Sequence, residues 1–253
     1  MDLNLKGKNV IITGANQGLG KNLCENFARE GANIILNYVV NPEAAEAIIQ
    51  NLVKTYAIKG YALYGDVTDE ADVINLFKKT VELLGSIDVV VNNAGICPIS
   101  LVKDMAYSEW LKVMNVNLNG VFLTSREMVR YLLAGNKQGE IINIASQAAF
   151  NGAKRGKSHY SASKGGVVSF TYSLSREVAK YGIRVNAVAP GMLYTEMTAA
   201  TIDAEKEKYQ ESIPLGRVAE MDEVSRAVLF LASDASSYIT GSTMDVSGGI
   251  IGR

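Results

Sequence analysis

The chain has 253 residues, of which 48% are hydrophobic and 20% charged, and its formal net charge is −1. These values are ordinary for one globular α/β domain, and the balanced charge argues against a nucleic-acid-binding protein. The apolar runs, such as Ala227–Ala232, are far too short to cross a membrane, and no basic start leads into an apolar signal segment. The two cysteines, Cys24 and Cys97, form neither a disulfide framework nor a metal-ligand pattern. We therefore expect a cytoplasmic protein with no metal site, and no nucleic-acid or membrane partner.

Short β-branched runs alternate with longer segments of helical periodicity along the whole chain. In chain order, the pattern predicts strand Val10–Ile12, helix Leu19–Glu30, strand Asn33–Tyr38, helix Pro42–Ala57, strand Tyr61–Tyr64, helix Glu70–Leu84, strand Ile87–Asn92, a long helix Glu109–Leu133 that can break near its start, strand Glu140–Ile144, helix Ser161–Tyr181, strand Ile183–Ala187, polar helical segments at 196–212 and 221–232, and strand Thr243–Val246. This alternation predicts a mainly parallel seven-stranded sheet with helices on both faces. The predicted class is α/β, doubly wound and of the Rossmann type, in a single domain over residues 1–253.

A glycine-rich turn follows the first predicted strand and opens the first predicted helix. Backbone N–H groups at such a helix start favour a pyrophosphate, and glycine lets the phosphate approach the backbone. The spacing Gly-x3-Gly-x-Gly differs from the better-known Gly-x-Gly-x2-Gly fingerprint. We predict that this turn binds a dinucleotide through Gly14, Asn16, Gln17, Gly18, Leu19 and Gly20.

The end of the second strand bears on the choice of dinucleotide. Proteins of this fold often place an acid there to bind the ribose hydroxyls, whereas this chain reads Asn37-Tyr38-Val39. Nothing there repels a 2′-phosphate, but neither Gln17 nor Val39 is a basic residue that would bind one. Both NADP(H) and NAD(H) stay open, and the missing acid tilts the prediction toward NADP(H).

Tyr160 and Lys164 stand four positions apart on a predicted helix, so their side chains share one face. A free tyrosine titrates near pH 10, and proton transfer near neutral pH would require its pKa to fall to about 7, roughly 4 kcal/mol in favour of phenolate. A neighbouring ammonium, together with the positive nicotinamide ring of an oxidised cofactor, could supply this effect by favouring phenolate. Because the Tyr-x3-Lys spacing also occurs by chance, the prediction depends on what surrounds it.

Further polar residues are predicted at the same edge of the sheet. Ser146 follows the fifth strand, and Asn92 to Gly95 end the fourth, where ligands bind in such sheets. The Ser146 hydroxyl could hydrogen-bond a substrate carbonyl oxygen. Asn117 interrupts the long helix, where asparagine is a poor helix former, and a local irregularity there could free backbone groups for water.

In order and spacing, these residues resemble the short-chain dehydrogenase/reductase family over nearly the whole chain. The motifs are Thr13-Gly14-x3-Gly18-x-Gly20, Asp66-Val67, Asn92-Asn93-Ala94-Gly95, Asn117, Ser146, Tyr160-x3-Lys164 and Pro190-Gly191. The resemblance implies that Tyr160 is the general acid or base and that Lys164 lowers its pKa and holds the nicotinamide ribose. It also implies that Ser146 polarises the substrate oxygen and that Asn117 anchors a water relay. The remaining implied cofactor contacts are Tyr38, Asp66, Val67, Asn93, Ala94, Gly95, Pro190, Gly191, Met192 and Thr195.

The resemblance implies interconversion of a carbonyl and a secondary alcohol by hydride transfer. Two groups are most similar, the 3-oxoacyl-(acyl-carrier-protein) reductases and the bacterial glucose dehydrogenase-like enzymes. Acyl carrier protein is therefore a candidate partner, with Arg130 at one matching basic position but Tyr181 where a second arginine is expected. A sugar or other secondary-alcohol dehydrogenase, an isomerase or dehydratase, and a non-catalytic cofactor-binding protein stay open as alternatives.

Four further expectations concern the surroundings of the site and the assembly of the protein. The loop between Ser146 and Tyr160 carries Lys154, Arg155 and Lys157, which could favour an anionic substrate or partner, or could be an ordinary solvated loop. The neighbouring His159 is expected to be non-catalytic. The resemblance implies that residues 191–215 cover the substrate. The helix Ser161–Tyr181 has a second apolar stripe of Val168, Tyr172 and Ala179, which predicts burial against a partner subunit in a homotetramer.

Overall fold

A single seven-stranded sheet runs through the computed structural model, which describes residues 2–153, 155–195 and 198–251, without the side chains of 200, 201 and 206. The strands are β1 (Asn9–Ile12), β2 (Asn33–Tyr38), β3 (Gly60–Tyr64), β4 (Val89–Asn92), β5 (Gly139–Ile144), β6 (Ile183–Pro190) and β7 (Thr243–Val246). Their order is β3-β2-β1-β4-β5-β6-β7, and every neighbouring pair is parallel. The predicted doubly wound α/β fold is confirmed. The winding reverses between β1 and β4, which opens a crevice at their carboxyl ends.

Helices cover both faces of the sheet. They are α1 (Gly18–Arg29), α2 (Pro42–Tyr56), α3 (Glu70–Leu84), α4 (Tyr107–Met114), α5 (Gly120–Ala134), α6 (Ala148–Asn151), α7 (Ser158–Val178), α8 (Ala199–Ala204), α9 (Lys206–Ser212) and α10 (Met221–Ala232). Alternate residues of a strand point to opposite faces. Val10 of β1 accordingly packs in the core under α1, α2 and α10, while Ile11 packs in the core under α3 and α5. Both side chains are fully buried.

The long helix predicted over Glu109–Leu133 is interrupted, as its asparagines indicated. A π-helical turn, Asn115–Asn119, separates α4 from α5. Helix α7 packs closely against this turn, because a Cβ at Gly166 would lie only 2.8 Å from a methyl carbon of Leu118. Such π-helical turns frequently mark functional sites, and this one faces the start of α7.

Several element boundaries differ from the predicted ones. Helix α7 begins at Ser158, three residues before the predicted start, and a 3₁₀ turn covers Ala179–Tyr181. Strand β6 continues to Pro190, because its extra residues pair with β7. The segment predicted as helical over 196–212 contains α8 and α9, while 196 and 197 lie outside the described residues. Within the described ranges no helix is long and apolar enough to span a membrane.

Candidate active site

The glycine-rich turn lies between β1 and α1, as predicted. Gly14 adopts a positive φ of 58°, and a Cβ there would stand 2.9 Å from the Cα of Ala94. A Cβ on Gly20 would lie 2.6 Å from the carbonyl oxygen of Gly14, so the turn can close only with glycine at both positions. By contrast, a Cβ on Gly18 would meet nothing within 4 Å, so the backbone there borders open space.

The amino-terminal end of α1 provides the donors that a phosphate needs. The residue before the helix, Gln17, makes no capping hydrogen bond with its side chain, and the first turn contains no acidic residue. The first N–H groups of a helix lack partners within the helix, and the helix dipole makes this end positive. The turn therefore fits the pyrophosphate of a dinucleotide. In the same turn, the Asn16 amide donates to the carbonyl of Val40 at 2.6 Å, which ties the turn to the end of β2.

Thr13 links the glycine-rich turn to the end of β4. Its hydroxyl oxygen accepts hydrogen bonds from the backbone N–H groups of Asn93 and Ala94, both at 3.0 Å. In return, the Asn93 amide donates to the carbonyls of Thr13 at 2.9 Å and Gly14 at 3.0 Å. These hydrogen bonds join two segments about 80 residues apart in sequence at the predicted cofactor site.

The ends of β2 and β3 form the side of the crevice where the adenosine is expected. Asn37, which our sequence reasoning did not assign a role, accepts from the Gly14 N–H at 3.3 Å and donates to the Gly65 carbonyl at 2.9 Å. The ring of Tyr38 meets that of Tyr64 edge-on at 6.2 Å. One carboxylate oxygen of Asp66 accepts from the N–H and hydroxyl of Thr68, both at 2.8 Å. Val67 is buried beside Gly120.

Asn117 lies fully buried in the π-helical turn and holds the loop that follows β4 in place. Its side-chain oxygen accepts from the Ile96 N–H at 2.8 Å, and its amide donates to the Ile96 carbonyl at 2.9 Å. The same amide donates to the hydroxyl of Ser163 at 3.1 Å. Both backbone groups of Ile96 are thereby satisfied by one side chain, which fixes the loop that follows Gly95.

Helix α7 brings Tyr160 and Lys164 to the carboxyl end of β5. The ammonium of Lys164 lies 5.8 Å from the centre of the Tyr160 ring and donates to the Ile144 carbonyl at 2.6 Å. It also borders Gly95, where a Cβ would stand 3.6 Å from the Lys164 nitrogen. Lys164 is only 3% exposed, so its charge is held inside the protein.

Burial dominates the acid–base behaviour of this pair in the protein alone. Burial raises the pKa of Tyr160 to about 12, against the opposing effect of a hydrogen bond with Ser146. Burial also lowers the pKa of Lys164 to about 8. In the protein alone, burial therefore outweighs any lowering of the Tyr160 pKa by Lys164, and the lowering expected with the oxidised cofactor bound stays a prediction. Desolvation disfavours the charged form of both groups, and the ammonium is bonded to a carbonyl rather than to the phenol.

Ser146 occupies the predicted position directly after β5. Its hydroxyl oxygen accepts from the N–H of Ala148 at 3.1 Å, and the side chain is close enough to Tyr160 to influence its pKa by hydrogen bonding. Next to it, the N–H of Gln147 donates to the Pro190 carbonyl at 2.9 Å. The side-chain oxygen of Gln147 is buried without a hydrogen-bond partner, a feature that no sequence pattern indicated.

Buried polar side chains form a ladder of hydrogen bonds between the sheet and the helices that carry the site. The Asn92 amide donates to Asn143 at 2.8 Å, and the Asn143 amide donates to the hydroxyl of Thr171 at 2.8 Å. The hydroxyl of Thr124 donates to the Asn92 oxygen at 2.5 Å. The ladder joins β4, β5, α5 and α7, and hence the catalytic helix to the sheet. Our sequence reasoning missed Asn143, although a polar residue inside the apolar run Ile141–Ile144 was a usable signal.

The residues predicted at the nicotinamide end follow β6. Gly191 packs tightly, because a Cβ there would lie 2.8 Å from the Cα of Ser247. Met192 packs beside a small apolar cluster made by Ile202, Tyr209 and Ile213. The Thr195 N–H donates to the hydroxyl of Thr198 at 2.9 Å. Beyond β6 the chain therefore forms a separately packed layer at the carboxyl edge of the sheet.

The loop before α7 carries the remaining charged candidates. Arg155 is exposed and Lys157 is partly buried, while Lys154 lies outside the described residues. His159 is fully buried, and one of its ring nitrogens lies 3.5 Å from a carboxylate oxygen of Glu109. Among the residues that the structure describes, no group of histidine, cysteine or acidic side chains could hold a metal ion.

Comparisons with known proteins agree with this geometry. A family model described as enoyl-(acyl carrier protein) reductase matches residues 14–251. The 3-oxoacyl-(acyl-carrier-protein) reductase of Aquifex aeolicus (strain VF5) is 37% identical over 250 residues, which cover 99% of this chain and 100% of the relative. The enzyme of the same name from Staphylococcus aureus (strain Mu50 / ATCC 700699) is 39% identical over 243 residues, 96% of this chain and 98% of the relative.

A solved structure is similar along almost its whole length. The short-chain type dehydrogenase/reductase from Mycobacterium marinum superposes with a TM-score of 0.91 at 33% sequence identity, covering 98% of this chain and 97% of that chain. The family resemblance predicted from the sequence motifs is thus confirmed. The chain belongs to the short-chain dehydrogenase/reductase family and is an NAD(P)-dependent oxidoreductase of that family.

Proposed function

We propose that this enzyme reduces the 3-oxo group of an acyl thioester to a secondary alcohol with NADPH. The observation that carries the proposal is the meeting of Tyr160 and Ser146 beside the buried Lys164 at the carboxyl ends of the central strands. The relatives named 3-oxoacyl-(acyl-carrier-protein) reductases over 96–99% of the chain support this substrate over a sugar or another alcohol.

The protonation states favour the reductive direction. A phenol with a pKa of about 12 keeps its proton at neutral pH, so Tyr160 can donate that proton to the carbonyl oxygen. The Ser146 hydroxyl would hold the same oxygen in place. The bound cofactor supplies the hydride. With a pKa of about 8, Lys164 is mostly charged at neutral pH and would bind the nicotinamide ribose hydroxyls.

Asn117 would act through its position rather than through a free side chain. Its amide and oxygen are already bonded to Ile96 and Ser163. A water relay toward Lys164 would therefore start from backbone groups of the π-helical turn.

The cofactor contacts follow the crevice from one end to the other. The pyrophosphate would bind the turn formed by Gly14, Asn16, Gln17, Gly18, Leu19 and Gly20. The adenosine would lie near Tyr38, Asp66 and Val67, the central part near Asn93, Ala94 and Gly95, and the nicotinamide near Pro190, Gly191, Met192 and Thr195. The preference for NADPH rests on the end of β2, where no acid stands to repel a 2′-phosphate.

Assembly, partner and location complete the proposal. Phe122 on α5 and Tyr172 on α7 are 44% and 54% exposed, an apolar surface that would be buried in a homotetramer. Residues 191–215 would cover the substrate. Acyl carrier protein would approach near Arg130, whose side chain is 58% exposed and pairs with Glu127 at 2.7 Å. We expect the enzyme to work in the cytoplasm.

The test follows NADPH and NADH oxidation by the purified protein with the N-acetylcysteamine thioester of 3-oxobutanoate. We expect turnover with NADPH, and a fall in kcat of about 10²-fold or more in Tyr160→Phe. Tyr238→Phe is the matched control, because Tyr238 is fully exposed. Turnover of sugars but not of the thioester would contradict the proposal. Tight NADPH binding with no turnover of any carbonyl would instead indicate a non-catalytic binding protein.

A further inference from the structure

The first turn of α7, which carries Tyr160, is held by tertiary contacts rather than by a side-chain cap. Lys157, the residue before the helix, makes no capping hydrogen bond with its side chain. The Ser163 hydroxyl donates to the Tyr160 carbonyl at 2.7 Å and accepts from the Asn117 amide at 3.1 Å. These bonds join one side of the turn to the π-helical turn. The position of the Tyr160 side chain therefore depends on what holds the rest of its turn.

His159 provides a second contact of this turn, with Glu109 of α4. The ring is fully buried, and one ring nitrogen lies 3.5 Å from a carboxylate oxygen of Glu109. Neither ring nitrogen has a hydrogen-bond partner among the residues that the structure describes. The separation exceeds the roughly 2.7–3.2 Å of an ordinary N–H···O hydrogen bond. A fully buried polar ring with both nitrogens unsatisfied is rare in a folded protein, so this contact requires an explanation.

The charges around His159 come chiefly from α4. Glu109 is the only charged side chain paired with His159 among the described residues, and Lys112, the other charged residue of α4, is exposed. Helix α6 and the π-helical turn contain no ionisable residue, and the charged residues of α5 and β6 have ion-pair partners of their own. Close in sequence, Lys157 lies in the loop before α7, and Lys164 is bonded to a backbone carbonyl. The charge of the imidazole is therefore coupled to Glu109 before any other group.

Protonation of His159 would change this contact. A neutral imidazole has one donor and one acceptor, whereas an imidazolium has two donors and a charge opposite to that of a carboxylate. A charge-assisted N–H···O bond is about 2.7–2.9 Å long, shorter than the 3.5 Å seen here. Forming that bond would draw α4 and the first turn of α7 together by a fraction of an ångström. Because Tyr160 is the next residue of that turn, its side chain would move with it.

We propose that His159 is a positioning residue, which in its protonated form pairs with Glu109 and thereby fixes Tyr160 for proton transfer. The inference rests on the proposed role of Tyr160 as the proton donor to the carbonyl. His159 acts through the backbone of the next residue and gives no proton to the substrate. Proton transfer depends steeply on the placement of the donor. Since histidine ordinarily changes charge between pH 5 and 8, reduction should slow as the pH rises through the titration of His159.

The first part of the test uses the fact that the chain contains a single histidine. In untagged protein labelled with ¹³C at Cε1 of histidine, the one imidazole signal in the NMR spectrum reports the protonation of His159 directly. We expect this signal to titrate in the wild type. Glu109→Gln keeps the shape of the side chain but removes the opposite charge, so the titration midpoint should fall by about 1 pH unit. The Glu109 side chain is 32% exposed, which favours normal folding of this variant.

The second part follows kcat for NADPH-dependent reduction of the 3-oxobutanoyl thioester across the same pH range. The wild-type kcat should fall at least threefold, with the midpoint of the imidazole signal. This decrease should shift with the midpoint in Glu109→Gln and disappear in His159→Gln. Titration of Lys164, whose pKa is about 8, gives a separate change that all these proteins keep.

The matched control removes a carboxylate from the segment just before α4. Asp104 is 58% exposed and pairs with Lys103 at 3.0 Å, so Asp104→Asn should change neither the imidazole midpoint nor the pH profile of kcat. An imidazole midpoint that is the same in Glu109→Gln and the wild type would overturn the proposal, as would a decrease in kcat that persists in His159→Gln. If the enzyme reduces another carbonyl instead of the thioester, the same profile is measured with that substrate. Failure of the thioester would therefore refute the proposed function and not this inference.

Discussion

Removing the buried ammonium of Lys164 should change the pH dependence of folding in a defined way. Lys164→Met keeps the length and apolar stem of the side chain but removes its charge. The structure lowers the pKa of Lys164 from 10.5 to about 8. That shift corresponds to about 3 kcal/mol of destabilisation while the group is charged in both folded and unfolded states. The Lys164→Met variant escapes this destabilisation. It also loses the 2.6 Å hydrogen bond to the Ile144 carbonyl, which offsets the gain in stability by about 1–3 kcal/mol.

The sign follows from which state holds the proton. Below pH 8 the lysine is charged in both states, and its burial destabilises the wild type. Between pH 8 and 10.5 the folded protein releases the proton while the unfolded chain keeps it, so wild-type stability rises with pH. The variant lacks this group. We therefore expect wild-type stability relative to Lys164→Met to increase by roughly 2–3 kcal/mol between about pH 7 and pH 10.

The assay is urea unfolding of both proteins at matched concentration, at several values of pH across this window. Matching the concentration matters because an oligomer's apparent stability depends on it. Tyr160 is present in both proteins, so its own titration cancels in the difference. A stability difference that stays constant across the window would refute the reasoning that Lys164 is held as a desolvated charge. The variant should also lose activity, which NADPH oxidation would record.

Three further predictions concern the cofactor site, the acid and the supporting ladder. Gly20→Ala forces a Cβ within 2.6 Å of a backbone oxygen in the glycine-rich turn. The affinity for NADPH, measured by calorimetry, should therefore fall at least tenfold, or about 1.4 kcal/mol. An unchanged affinity would contradict the described turn. Ser146→Ala removes the hydrogen bond that lowers the pKa of Tyr160. The pKa of the phenol, followed by ultraviolet absorbance, should therefore be higher in the variant than in the wild type. A lower phenol pKa in the variant would disprove that contact. Asn143→Leu leaves buried polar partners unsatisfied and should lower the free energy of unfolding by about 2–4 kcal/mol, whereas a loss below about 0.5 kcal/mol would show that the ladder is dispensable.

Much of the fold could be read from local pattern. Alternating β-branched runs and helical periodicity identified all seven strands, most directly the five inner ones, which are buried on both faces and must therefore be largely apolar. Helix boundaries were less well predicted. The start of α7 depends on how the preceding loop packs against residues 96–100, and residues in that loop carry no strong start signal.

The catalytic candidates could also be identified from local sequence, that is, from spacing and from the neighbouring elements. Tyr160 and Lys164 share a helix face by spacing alone, and the glycine-rich turn lies between a strand and a helix because of its neighbours in sequence. Parallel strands end at one edge of the sheet, so Ser146 and the Asn92–Gly95 segment had to converge there.

The electrostatic state of that site was decided only by tertiary structure. The spacing of Tyr160 and Lys164 places an ammonium near the phenol, but in the protein alone burial by distant segments dominates and raises the phenol pKa. The single side chain of Asn117 satisfies both backbone groups of Ile96, 21 residues away. Sequence determined which residues meet at this edge of the sheet. Only the folded protein decides their charge, because desolvation and hydrogen bonding depend on segments that are remote along the chain.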